Sequence, residues 1–232
     1  MNNPVDPDAR WLYRVGGVSA LVLGLAYIVI IGLFVPIGAA PNGAEARLAY
    51  LAGNTRTWWA ILGLSVLTDF LFVPVGLALY LALRGLDKGA MLLATACLGL
   101  FVVLDLAITW TNYEALIALS GRYAAAANAA QKAAAVAAAV YPSAVLESRL
   151  LFVYNSLTLA VAILLTGFVM LKGIFRRSTA YLGIATGLLG IISVAGSFLV
   201  SAMSVAIVVT SLLTTVWVVV VGYRLCGLAR QR

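Results

Sequence analysis

The stretch STAYLGIATGLLGIISVAGSFLVSAMSVAIVVTSLLTTVWVVVVGY, residues 178–223, runs for 46 residues without a charged side chain. As one helix it would be about 69 Å long, more than twice a hydrocarbon core of about 30 Å. It therefore reads as two membrane-spanning helices, at about 179–200 and 204–223, joined by a turn between Ser201 and Ser204.

Upstream, the same reading gives span four at about 150–171, uncharged and followed by Lys172, Arg176 and Arg177. Span two covers about 58–83 and is interrupted only by Asp69. Span three covers about 89–111 and is interrupted only by Asp105, with Arg84 to Lys88 as the polar turn between them. Span one, about 15–38, follows Arg10 and Arg14 and is longer than the apolar core of a cleaved signal peptide. Between spans three and four lies an alanine-rich stretch that carries Lys132 and few large apolar side chains. Alanine favours helix but drives insertion weakly, so this reads as an outer-surface helix at about 123–140, ended near Pro142. A seventh span is the competing reading.

The expected fold is thus all-α: a polytopic membrane helix bundle forming a single transmembrane domain, with six transmembrane helices plus an Ala-rich outer-surface helix. Composition agrees, since 64% of the 232 residues are hydrophobic and only 10% are charged, against about 25% charged in soluble domains. With six spans, ten of the 15 basic residues fall on one side and five on the other. Basic residues concentrate in cytoplasmic loops, which puts both termini in the cytoplasm and is the pattern expected of a multi-pass protein of the inner (cytoplasmic) membrane. The net charge of +7 then marks loops and not a nucleic-acid surface.

The absence of histidine removes His-based zinc sites, His-ligated haem and Ser-His-Asp triads, and the two cysteines are placed too differently to suggest a disulfide. No metal site and no cofactor is expected. A rhodopsin-like seven-helix protein would need a retinal lysine in its last helix, and neither of the last two spans contains lysine.

Asp69 and Asp105 are the informative residues. An acid deep in a span costs about 2.5–3.5 kcal/mol on insertion scales and is seldom kept without a role. The two lie at similar distances from the 84–88 turn, so an antiparallel hairpin brings them to one depth. Asp105 shares its helical face with Thr109, Asn112 and Tyr113, and span four adds Tyr154 and Asn155 near its outer end. Together these form a candidate binding site opening outward, and Glu114, Glu147 and Arg149 form its rim, an Arg149 pair with either glutamate serving as a gate. The tryptophans Trp11, Trp58, Trp59 and Trp110 read as interfacial belt residues, with Trp58-Trp59 as an alternative roof over the cavity. Gly183 and Gly187 form a GxxxG pair, read as packing within one protomer before a homo-oligomer contact.

Four segments carry a resemblance to a bacterial family of six-pass integral membrane proteins known only as a domain of unknown function. They are Arg14-Val15-Gly16-Gly17, Leu67-Thr68-Asp69-Phe70, Leu79-Tyr80 before Leu83-Arg84, and Phe175-Arg176-Arg177 before Tyr181-Leu182-Gly183. The resemblance implies the same six-helix arrangement and no activity. Members of that family carry His and further acids near the position of Tyr154-Asn155, which this chain lacks.

The leading functional reading is a protein of the lipid bilayer that binds or moves a small cation, proton or amphipathic molecule at the carboxylates. A structural or regulatory subunit comes second. An intramembrane enzyme using paired carboxylates comes third, since no nucleophile or oxyanion donor pair accompanies them. Topology is directly testable. In a background without Cys97 and Cys226, Asn42→Cys and Asn128→Cys should react with an impermeant thiol reagent from outside, whereas Lys88→Cys and Ser178→Cys should stay protected.

Overall fold

The structure, a computed structural model, describes residues 10–197 and 204–230. Among these residues it is helical throughout, apart from short connections. In order come α1 (Arg10–Ile37), α2 (Ala44–Gly53), α3 (Thr55–Leu83), α4 (Lys88–Leu104), a π-helical turn (Asp105–Trp110), α5 (Thr111–Ala124), α6 (Ala129–Leu146), α7 (Arg149–Met170), α8 (Arg177–Ser197) and α9 (Ser204–Ala229). Seven helices among the described residues are long and apolar enough to cross a membrane, the alanine-rich α6 being one of them. In hydrocarbon no water satisfies backbone N–H and C=O groups, and helices satisfy their own. This is the architecture of a multi-pass membrane protein.

Six of the long helices close a ring. α1 packs on α3, α3 on α4, α4 on α7, α7 on α8, α8 on α9, and α9 returns to α1. Their shared core includes Leu23, Phe72, Leu79, Met91, Ile163 and Trp217. Adjacent glycines on α1 explain the closure: a Cβ at Gly16 would come within 2.8 Å of the Pro74 carbonyl on α3, and one at Gly17 within 2.8 Å of the Cys226 amide on α9. Only hydrogen at both positions lets α1 touch two neighbours at backbone distance. Gly187 does the same between α8 and α7, where a Cβ would stand 2.7 Å from the Ala160 carbonyl, and Gly183 makes room for the Trp217 indole of α9, which a Cβ would approach to 2.7 Å. The GxxxG pair is thus occupied within the protomer.

A second, separate core is built from α2, α5, α6 and the first turns of α3, around Leu48, Leu51, Trp58, Ile61, Leu116 and Ile117. These elements form a cap over one end of the ring. α6 packs on α5 and α2 and makes no comparable contact with the ring helices. At the opposite end the polar turns meet: Asp87 caps α4 by accepting from the Ala90 amide at 3.0 Å, and Lys172 Nζ donates to Asp87 at 3.1 Å. Arg224 there donates to the Ile174 carbonyl at 2.8 Å.

Several expectations need correction. The helix of span three continues beyond 111: α4, the π turn and α5 form one helix of 37 residues, about 55 Å long. A polar sequence after 111 does not end a helix. The alanine-rich helix begins at Ala129, not 123, and continues past Pro142 to Leu146. Pro142 and Ser143 are buried there, and packing holds the last turn despite the lost backbone donor. α2 was not expected at all, being only 10 residues long. The turn expected at 201–204 lies outside the described residues except for Ser204, the first residue of α9.

Two predictions follow from these contacts. Gly187→Leu should lower the melting temperature of the purified protein, corresponding to roughly 1–3 kcal/mol of overpacking, while Gly63→Ala, facing open space, should leave it unchanged. The second concerns pH. The Ala90 amide first, then Lys172, hold the Asp87 carboxyl below the usual carboxylate range. A depressed native value contributes stability above the ordinary range that is lost as pH falls through that value. Asp87→Asn should therefore lower the melting temperature slightly at neutral pH, leave it unchanged at acid pH where the wild-type carboxyl is protonated, and so flatten the acid limb of the profile below about pH 4.

Candidate functional site

The site is organised by the π turn. Where hydrogen bonds change from i→i+4 to i→i+5, the helix widens and neighbouring side chains are re-aimed. In a regular α-helix Trp110, five residues after Asp105, would point well away from it; the wider turn brings the indole round to the same side. Trp110 Nε1 donates to Asp69 Oδ2 at 2.8 Å, linking α3 to the π turn. The backbone is steadied by local side chains: Thr111 Oγ1 donates to the carbonyls of Leu106 and Ala107, and Asn112 Nδ2 to that of Ile108.

Asp105 is held from the other side. Asn155 Nδ2 on α7 donates to Asp105 Oδ1 at 2.8 Å and to Thr109 Oγ1 at 2.9 Å. Two acceptors fix the amide nitrogen in this orientation, because a carboxylate cannot donate. The Asn155 carbonyl oxygen, Oδ1, is consequently left buried without a hydrogen-bond partner. Asp105, Thr109, Tyr113 and Asn155, with Phe101 and Leu159, line an open cleft of about 300 Å³ at the cap end of the bundle.

The cleft has an aromatic wall. Tyr113 stacks on Trp58 with ring centroids 4.9 Å apart and packs on Trp110 at 5.7 Å. Trp58 is 2% exposed and touches Phe34 and Tyr50 edge-on, so it belongs to the cap core and roofs the site, not to an interfacial belt. Trp110 likewise binds Asp69 instead of facing the interface. Trp11 and Trp59 are exposed, as belt residues are.

Of the residues singled out in the sequence, Asp105, Thr109, Tyr113 and Asn155 come together around the cleft. Asp69 lies behind it, 2% exposed and reached through Trp110. Both acids have the Trp110 indole as a neighbour, and Asp105 is held in addition by Asn155. Asn112 serves the backbone of the π turn, which has rotated it off the expected face. Tyr154 does not line the cleft; its carbonyl accepts from Thr158 Oγ1. Glu114 is exposed on α5.

The expected gate is not formed. Glu147 pairs with Arg47 at 3.2 Å and accepts from the Gly43 amide at 2.8 Å, while Arg149 is exposed at the start of α7. Arg47, 5% exposed, also donates to the carbonyls of Ser143 and Pro41. It clamps α2, the end of α6 and the loop after α1 into one unit. Sequence reasoning passed over Arg47 because a lone arginine in a short connection looks solvated, and over Tyr27, which lies on α1 within electrostatic reach of both acids.

No protein-family model matches the chain, and no curated protein or solved structure is detectably similar to it.

Chemically, the cleft offers a carboxylate, an unpartnered amide carbonyl and aromatic faces, with no basic side chain in its lining. Such a lining attracts a cation. The clamp is testable separately: Arg47→Met should destabilise the fold by roughly 1–3 kcal/mol in thermal denaturation, because it strands two carbonyls and a partly buried glutamate, whereas Arg149→Ala should stay within about 0.5 kcal/mol of wild type.

Proposed function

We propose that the chain is a six-span protein of the bacterial inner membrane that binds a small organic cation at an outward-facing cleft on Asp105. The observation carrying this reading is the buried, unpartnered Asn155 carbonyl oxygen beside Asp105, at the wall of a cleft lined by Tyr113 and Phe101. A bound primary ammonium group would donate to the orphaned acceptor and to the carboxylate together, and its charge also gains from the aromatic faces.

A count of six spans, with α2, α5 and α6 as an external cap, is supported by the closed ring and by the separate core that α6 shares with α2 and α5. The resemblance to a six-pass family supports the same count. Both termini lie in the cytoplasm, since the ring end opposite the cap carries Arg10, Arg14, Arg84, Lys88, Lys172 and Arg224. The cleft then faces outward, near the outer edge of the hydrocarbon core. Pro74 lies within α3 near Asp69 and leaves the Phe70 carbonyl without its helical donor, giving this side of the site a helix that can bend.

A scaffold role is favoured for one acid only. Asp69 is enclosed and tied to Trp110, so it positions the π turn, while Asp105 faces the ligand. Titrating purified protein with methylammonium and following Trp fluorescence separates the two. Asp105→Asn should weaken binding by roughly tenfold or more, equivalent to about 1.4 kcal/mol, with an unchanged melting temperature. Asp69→Asn should lower the melting temperature and weaken binding less. Wild-type affinity in Asp105→Asn defeats the proposal.

A further inference from the structure

A second cavity lies directly beside the first. It has a volume of about 280 Å³ and is bounded by α1, α7, α8 and α9, with Tyr27, Ile30, Ile163, Thr186, Ser193 and Thr214 among its walls. Ser156 and Leu159 line both spaces, so the two cavities meet on one face of α7.

The second cavity is hydrocarbon-like despite its hydroxyls. Thr186 Oγ1 donates to the Leu182 carbonyl, Ser193 Oγ to that of Leu189, Thr214 Oγ1 to that of Thr210 and Thr215 Oγ1 to that of Ser211. These four hydroxyl protons are taken up by their own helices, and aliphatic side chains such as Ile30, Leu159 and Ile163 make up much of the remaining wall. No charged side chain lines it. For scale, an engineered apolar cavity of about 150 Å³ holds one benzene molecule. This one accommodates an alkyl chain of several carbons.

The two spaces differ in polarity in the same direction as the membrane around them. Asn155 stands six residues into α7 from its cap end, and Ile163 lies about 12 Å further along that helix. A molecule occupying both would have its polar end at the cap side and its chain running toward the bundle centre, as a lipid of the outer leaflet does.

We infer that the cleft and the cavity are the head and tail compartments of one site for a single-chain amphiphile with an ammonium head group, held at Asp105 and Asn155 with its chain beyond Ser156 and Leu159. The inference rests on the cation-binding reading of the cleft and adds the tail. A phosphate or sulfate head is disfavoured, because the cleft offers it a carboxylate and no basic side chain.

The test uses the full chain in nanodiscs of a neutral phospholipid. Methylammonium supplies the head alone, decylammonium the head and tail, and decyl sulfate the tail with the opposite charge. Affinities are expressed relative to lipid mole fraction, so that partitioning into the bilayer is common to all variants. Decylammonium should bind wild type about tenfold or more tightly than methylammonium. Ile163→Phe, which fills the cavity from α7 and does not line the cleft, should abolish that gain and leave methylammonium binding unchanged. Thr214→Met, which narrows the cavity from α9, should reduce the gain and covers the case in which Ile163→Phe fails to fold. Decyl sulfate should bind no more tightly to wild type than to Ile163→Phe.

The failures are distinguishable. If neither cation binds wild type, the cation reading of the cleft falls and the inference with it. If methylammonium binds but the decyl chain adds nothing, or the gain survives both variants, the tail compartment is overturned and the cleft reading stands. If decyl sulfate matches decylammonium, the site is an apolar cavity without head selectivity, which overturns the inference.

Discussion

A continuous helix of 37 residues carries Asp105 in its middle, and the hydrogen-bonding pattern of that helix changes at this residue. An acid in a span must find donors within the protein, since lipid supplies none. An α-helix would aim Asp105 and Trp110 in different directions. The π turn aims them together, so that the indole serves Asp69 on α3 while Asp105 is met by Asn155 from α7. Three helices of the ring are joined by these polar contacts. The remainder of the site depends on them, because the same turn places Thr109 and Tyr113 on the wall of the cleft.

The surrounding architecture makes the turn tolerable. Glycines on α1 and α8 bring helices to backbone distance, which compensates for the absence of a hydrophobic driving force between helices in lipid. Above the ring, the cap has an apolar core of its own and a buried arginine at its centre. Arg47 is acceptable there because its charge is paired with Glu147 and two carbonyls accept from it. Trp58 belongs to that cap core and stacks on Tyr113 of the cleft, so the cap and the site are mechanically one structure.

The polar inventory is asymmetric. Around Asp105 nearly every donor is already engaged and one acceptor, Asn155 Oδ1, is not. Around the neighbouring cavity the hydroxyls have turned to their own backbones. A surface rich in acceptors next to one without available donors selects for a molecule with the complementary order of polarity.

The all-helical character and the membrane-length apolar helices were legible in the sequence, because each depends on the spacing of apolar and charged residues along one helix. So were Asp105, Thr109 and Tyr113 as one face, since they are separated by steps of four, and the reading of Gly183 and Gly187 as a contact within the protomer. The tertiary structure alone decided the rest. Trp110 as the partner of Asp69, Asn112 as a backbone prop, Arg47 in place of Arg149 as the partner of Glu147, and α6 docked on α2 and α5 all depend on which elements meet. Periodicity reports how a residue points from its own helix, on the assumption that the helix stays regular. It carries no information about a local change of helical pitch, or about a partner 41 or 100 residues away along the chain, as Asp69 and Glu147 are from Trp110 and Arg47.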